Sequence, residues 1–389
     1  MTKTDDSKLK ESMSLHERLN HPMANFIFLR SAVALLLGLG LVMVYSASSL
    51  FSYRINGDTW TLAVRQIIFA LAGWFAMNAV SKFKVSTIRK WSNVLMLGSI
   101  GALVLVLVVG TSVNGQKNWI EFGPFFRVQP SEFAKLAIVI WGANQLAKKH
   151  DYLHYRKQLI MPVVPVCALI LILVLKEGDL GTAMVMMPMM ASILFFAGAP
   201  RIWFAWLATA AVLGIAVLSF AQPYRLDRFK SWIDPGADPR GTGFQVIHGQ
   251  QALGSGGWFG LGLGGSREKW GTLPEAHTDF IYAVIGEELG ILGTLSVIVL
   301  FLIIGILGFR IAQQATDPFV RLAAAGATTW ISTQMLVNIG AVLGTLPITG
   351  VPLPLVSYGG SSLIPTLVAF GVLLSFARQQ GQLEQEKLR

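Results

Sequence analysis

Asp279 is the residue whose neighbours best equip it for acid–base chemistry. It lies in the stretch PEAHTDFIYAVIGEELG (residues 274–290), between His277 and the start of a long apolar run. A carboxylate in a dry setting has a raised pKa and can act as a general base near neutral pH. An acid at a helix start can equally do no more than complement the macrodipole. The residues alone leave both readings open. Glu132 and Lys135 form the second pair of interest. Three apart on a helix, they share a face and can bond. They make either a structural ion pair or a lysine that meets phosphate while the glutamate steadies it.

Cations are frequent in residues 222–283: Arg225, Arg228, Lys230, Arg240, Arg267 and Lys269. Asp227, Asp234, Asp238, Glu268 and Glu275 balance them, so paired, solvated charges are the default, with one or two left for an anionic ligand. Arg65 either meets a phosphate or snorkels to the membrane interface. Ser357, Tyr358, Ser361 and Ser362 supply hydroxyls to a sugar or to backbone, or pack helices as small residues do. Gly260, Gly262 and Gly265 satisfy G-x-G-x-x-G, but no strand precedes them, so the glycines read as tight turns and not as a dinucleotide site. His248 and His277 lack a metal-ligand constellation, and one cysteine, Cys167, makes neither a disulfide framework nor a cysteine-rich metal site. A divalent cation, Mg or Mn, between a pyrophosphate and a carboxylate is chemically reasonable, but no residue pattern encodes it. No metal ligand is assigned.

The elements that must hold these groups are membrane helices. The 389 residues are 53% hydrophobic and only 13% charged, against about 25% charged in soluble domains. Apolar runs fall near residues 26–50, 60–80, 92–113, 130–147, 159–176, 181–199, 202–221, 284–308, 322–346 and 352–377. Each is about the length that spans a bilayer. No dyad alternation marks a β-barrel. The expected fold is therefore all-α and polytopic, with ten transmembrane helices and a large extracytoplasmic loop, 222–283, between helices seven and eight. Run 130–147 is weak by hydropathy because it carries Glu132 and Lys135, each costing about 2.5–3.5 kcal/mol at mid-membrane on insertion scales. Residues 1–25 and 378–389 are polar tails around a membrane domain, 26–377. A cytoplasmic N-terminus places eighteen Lys and Arg on inner segments and four in the short outer loops, so both termini are expected inside. The net charge of +10 is spread over those loops with no basic stripe, which excludes nucleic acid as partner. Prolines 347, 352 and 354 with Gly359 and Gly360 predict a broken start to span ten. Non-helical backbone at that depth survives only where it is buried or lines a cavity.

Five ordered blocks carry a resemblance: YSAS near the first span, QPSEFAKLA (129–137), DLGTA (179–183), PEAHTDFIYAVIGEELG (274–290) and LPITGVPLPLVSYGGSS (346–362). Together they resemble the SEDS family of shape, elongation, division and sporulation proteins, over about residues 35–375. The resemblance implies a ten-helix glycosyltransferase of the bacterial cytoplasmic membrane. Such enzymes polymerise lipid II, an undecaprenyl-pyrophosphate disaccharide-pentapeptide, at the outer face. Their partner is a class B penicillin-binding protein, which supplies the transpeptidase. The family's essential aspartate matches Asp279, and its fourth-helix glutamate and lysine match Glu132 and Lys135. His277, Arg65, Arg225 and Ser357 are then the expected supporting or pyrophosphate-binding residues. Ala276 in EAHTDF leans toward the division-type members at the septum, working with other divisome membrane proteins; the elongation-type polymerase is the near alternative. A lipid II flippase using the intramembrane charges, and a non-catalytic scaffold, are the rivals. The chain departs from the family in Lys117, where many members carry arginine, in Gly178, and in the pair His248 and Gly249.

Overall fold

A computed structural model describes residues 23–387, except 114, 115, 124, 125, 154, 221, 222, 240, 242, 271 and 272. The chain is mostly helical. Helices α1 (Ala24–Asn56), α2 (Thr61–Val80) and α3 (Val85–Val109) come first, followed by strands β1 (Thr111–Val113), β2 (Gln116–Phe122) and β3 (Phe126–Val128). Then come α4 (Pro130–Ala147), α5 (Arg156–Ile160), α6 (Val163–Lys176), α7 (Leu180–Phe196) and α8 (Arg201–Phe220). The stretch between α8 and α11 holds α9 (Pro223–Ile233) and α10 (Phe244–Ser255), and α11 (Ile281–Gln314), α12 (Pro318–Val342) and α13 (Gly360–Lys387) close the chain.

Among the described residues, six segments are long and apolar enough to cross a membrane: α1, α2, α3, α5 and α6 taken together, α11 and α13. Their outward stripes carry fully apolar side chains, such as Phe75 at 70% exposure and Leu97 at 71%. A surface of that kind calls for lipid and not water. α7 and the first part of α8 are shorter apolar helices.

α4 is the centre of the molecule. It is buried on nearly every side, from Pro130 through Leu146, and packs against α3, α7, α12 and α13. A helix enclosed by other helices can keep polar side chains, provided they find partners. Pro130 sits at its first turn, where its missing N–H costs nothing.

The all-helical expectation is corrected between α3 and α4. Three short strands form an antiparallel sheet in the order β1-β2-β3, with Glu121 opposite Arg127 in β3, and those two side chains bond at 2.9 Å. Such edges are tolerated where water can reach them, outside the hydrocarbon. Lys117 N–H donates to the Glu177 carbonyl, tying this sheet to the α6–α7 connection. The expected first tail, residues 1–25, lies almost wholly outside the described residues, and α1 already begins at Ala24. At the other end α13 runs on to Lys387, past the expected limit of the last span at 377.

Candidate active site

The turn that carries Asp279 is built before α11 starts. Glu275 takes a positive φ of 54°, and its carbonyl accepts from both Thr278 N–H and Phe280 N–H at 3.1 Å. Asp279 is partly buried and does not cap α11, whose N-cap is Phe280. Its carboxylate faces Gly350 instead. A Cβ placed on Gly350 would lie 3.7 Å from Asp279 Oδ2 and 3.9 Å from Arg228 Nη1 of α9. Gly350 has φ +75°, so glycine both permits the backbone turn and leaves space beside the acid. Burial pushes Asp279 up to about 7; Glu275 and the more distant Asp179 add to the rise, and Arg228 opposes it. A carboxyl at that value exchanges its proton near neutrality.

His277 is 7% exposed, packed between the rings of Phe51 at 4.8 Å and Tyr358 at 5.6 Å. Burial lowers its pKa against the pull of Glu275, favouring the neutral ring. It borders a cavity of about 320 Å³ shared with Phe51, Arg54, Lys269 and Glu275, which does not include Asp279. Arg65, on α2, bonds the Tyr358 phenol. Ser357 is committed to backbone: its Oγ donates to the Thr278 carbonyl at 2.6 Å and accepts from Leu353 N–H at 2.8 Å. It therefore fastens the segment before α13 to the Asp279 turn, and its one proton is already donated. The expected break before α13 is present, with residues 347–353 non-helical and buried at Ile348, Val351 and Leu353. The side chain of Arg225, on α9, lies outside the described residues.

Glu132 and Lys135 meet on one face of α4 as their spacing predicts, Nζ to Oε1 at 2.7 Å, both almost fully buried. Lys135 also donates to Gln334 Oε1 at 2.9 Å, and its ammonium lies 5.0 Å from the Trp330 ring centroid. Glu132 Oε2 is buried without a partner. Asp179 caps α7 through Thr182 N–H at 2.9 Å and receives Gln129 Nε2 at 2.8 Å. Its charge reaches both Glu132 and Asp279. Nearby Glu177 is buried with both carboxyl oxygens unpaired, and burial, aided by Asp179, pushes it up to about 9.

Several expected contacts resolve into architecture. Lys117 caps α3, donating to the Leu107 and Val108 carbonyls at 2.8 and 3.0 Å. Glu287 and Glu288 grip the loop: Glu288 takes Lys269 Nζ at 2.9 Å and Ser46 Oγ at 2.7 Å, and Glu287 takes Arg267 N–H at 2.8 Å. His248 pairs with Glu268 at 2.8 Å. Gly260 lies against the Glu288 carbonyl, where a Cβ would collide. Among the described residues no three His, Cys, Asp or Glu side chains gather as metal ligands would, so the site does not fit a divalent cation held by protein alone.

Two residues escaped the sequence reading. Asn338 of α12 donates to the Asp279 and Val351 carbonyls, both at 2.8 Å. Gln334, one turn earlier, accepts from Trp330 Nε1 at 2.8 Å and donates to the Pro352 carbonyl at 3.0 Å. The spacing Trp330, Gln334, Asn338 puts all three on one helix face. Amides at that interval in an apolar run were the available signal.

A profile of the cell cycle proteins FtsW, RodA and SpoVE matches residues 27–382. A Mycobacterium bovis protein described as a probable peptidoglycan glycosyltransferase FtsW is 39% identical over 93% of this chain and 69% of its own. Stage V sporulation protein E of Bacillus subtilis is 40% identical over 88% of this chain and 94% of its own. Among solved structures, a chain from a peptidoglycan synthase complex coordinating polymerization and crosslinking superposes with a TM-score of 0.74 at 30% identity, covering 90% of this chain and 97% of that one. The Thermus thermophilus rod shape determining protein RodA superposes with a TM-score of 0.67 at 27% identity, covering 90% and 96%. With the profile spanning nearly the whole helical region, the chain belongs to the FtsW/RodA/SpoVE family of cell cycle proteins.

Proposed function

We propose that this protein is a peptidoglycan glycosyltransferase that polymerises lipid II at the outer face of the bacterial cytoplasmic membrane, in septal wall synthesis, together with a class B penicillin-binding protein. The relatives' names support the activity, and the match to a synthase-complex chain supports the partner. In this reading the ten apolar runs are ten spans: α1 to α4, α5 with α6, α7, α8, α11, α12 and α13. Both termini are cytoplasmic, which puts the Asp279 turn outside.

The observation that carries the mechanism is the Asp279 carboxylate facing Gly350, whose missing side chain leaves room beside it, and burial raises that carboxyl to about 7. The acceptor's 4-hydroxyl attacks the anomeric carbon of the growing chain and the new C–O bond forms with inversion. The bond from that carbon to pyrophosphate breaks, undecaprenyl pyrophosphate leaves with the electron pair, and Asp279 takes the hydroxyl proton. No nucleophilic carboxylate is needed, because inversion has no covalent glycosyl intermediate, and pyrophosphate leaves as an anion that needs no general acid. Arg65, held at Tyr358, is assigned to the pyrophosphate, and His277 to shaping the turn. Lys135 is 1% exposed and engaged by three neighbours, which favours an internal strut over a transport path along α4.

The test is lipid II polymerisation by the purified protein with its class B partner, comparing wild type with Asp279→Asn at equal complex yield. Polymer from the wild type and none from the variant is expected. Undiminished polymer from the variant removes Asp279 as base. No polymer from either, with the complex intact, moves the reading to flippase or scaffold.

A further inference from the structure

We infer that Asn338, with Gln334, is a positioning residue for the reaction proposed above: α12 fixes the Asp279 turn and the Lys135 ammonium in register against one shared backbone abutment, residues 351–352. The proposal rests on that reading of Asp279, and it deepens it. Each amide makes two kinds of contact. Asn338 Nδ2 bonds the Asp279 carbonyl and the Val351 carbonyl, both at 2.8 Å. Gln334 bonds Lys135 Nζ at 2.9 Å through its oxygen and the Pro352 carbonyl at 3.0 Å through its nitrogen. Each side chain thus clamps one residue of the abutment and one residue, Asp279 through its backbone or Lys135 through its ammonium, of the three the family resemblance singles out. Both amides are almost fully buried, at 2% and 1% exposure.

The arrangement solves a positional problem. Asp279 follows a long loop, and loops are the least rigid supports for a reacting group. A misplacement of about 1 Å costs on the order of 100-fold in rate. Tying the Asp279 backbone to a buried helix transfers its position from the loop to the bundle. Ser357 makes a second tie one residue earlier, at the Thr278 carbonyl. Gly350, next to the abutment, is the residue the carboxylate faces, so Asn338 sets both the acid and the wall opposite it.

Asn338 is uncharged. A change in the titration of Asp279 on its removal therefore reports altered placement and not a deleted charge. The charged and titratable groups around Asp279 are Glu275 and His277 in its own turn, Arg228 on α9 and Asp179 at the α7 cap, and all remain in the variant. Asn338→Leu keeps the volume and removes both donors. In the full-length protein with its partner, the expected result is a fall in kcat on the order of 100-fold with KM for lipid II within about twofold. The acid limb of the rate profile should also move down by about one pH unit, as the carboxyl meets water. The same shift is read without turnover. A hydrophobic carbodiimide captures the protonated carboxyl, and the pH midpoint of capture at Asp279 is followed by peptide mass spectrometry. Asn338→Gln, which retains the donors, should hold the wild-type midpoint. Should Asn338→Leu fail to accumulate, Asn338→Ser, with one donor for two, should give an intermediate shift.

An unmoved midpoint in Asn338→Leu, or a Gln variant as displaced as the Leu variant, overturns the proposal, whatever the rate. Absence of polymer from the wild type is a separate result: it defeats the polymerase reading, while the capture midpoint still decides the positioning role.

Discussion

Replacing Arg228 with glutamine tests how the Asp279 carboxyl is tuned. Gly350 provides a common reference point, with a Cβ there 3.7 Å from Asp279 Oδ2 and 3.9 Å from Arg228 Nη1. The two charges are then within about 8 Å, where at an effective dielectric of about 20 a unit charge contributes about 2 kcal/mol. That equals roughly 1.5 pKa units; screening at a partly exposed site reduces it to about one. Arg228 holds the pKa down, so its removal raises it from about 7 to roughly 8. The base must be deprotonated, so activity is lost on the acid side. At pH 7 the active fraction falls from about a half to about a tenth, a loss of about fivefold that closes by pH 9. The assay is the initial rate of lipid II polymerisation across pH 5.5 to 9.5 for wild type and Arg228→Gln. An equal loss at every pH would mean that Arg228 grips the substrate and does not tune the base. A profile that does not move at all would refute the electrostatic account.

Further outcomes follow from the buried polar groups. Glu177 is protonated in the fold, with a pKa near 9 against 4.5 for the free group, so its contribution to stability is full below pH 4.5 and is lost as pH rises toward 9. Glu177→Gln should raise the melting temperature at pH 8 and flatten its decline with pH, read in detergent by thermal unfolding. Lys135→Met should destabilise the protein by about 3–5 kcal/mol by stranding Glu132, and adding Glu132→Gln should recover most of that; a denaturant titration of both variants checks it. Ser357→Ala should cost about 1–3 kcal/mol through the unpaired Leu353 N–H and Thr278 carbonyl, with KM for lipid II unchanged in steady-state assays.

The sequence displayed the helices better than their ranking. Run 130–147 coincides with α4, yet the two charges that weakened it by hydropathy mark a helix enclosed on nearly every side. Hydropathy measures cost in lipid and cannot register a partner such as Gln334 supplied from 199 positions away. The i,i+3 spacing did specify the Glu132–Lys135 bond, because a helix fixes that geometry locally. The small sheet was missed because two of its strands have only three residues, too few for alternation to stand out. Asp279 was legible from its block of neighbours. Its tie to Asn338 was not, since the two are 59 residues apart and a lone amide in an apolar helix resembles ordinary packing. Ser357 was found as a hydroxyl, but which groups it bonds depends on a chain crossing that pattern alone does not encode.

α11 is not one helix mechanically. At Gly290 the backbone takes φ 67°, ψ −163°, and the N–H groups of Ile291 and Leu292 bond the Gly257 and Trp258 carbonyls of the stretch before α11. In return the Glu287 and Glu288 carbonyls receive Leu261 and Gly262 N–H. A continuous helix tilts as a rod when the bilayer thins or thickens. A rod sawn through and splinted from the side does not: the long membrane-facing length can lean with the lipid while the short buried length above the cut stays with the bundle. In the proposed function the glycine break is then a universal joint, set between the Asp279 turn and the length of helix that meets lipid.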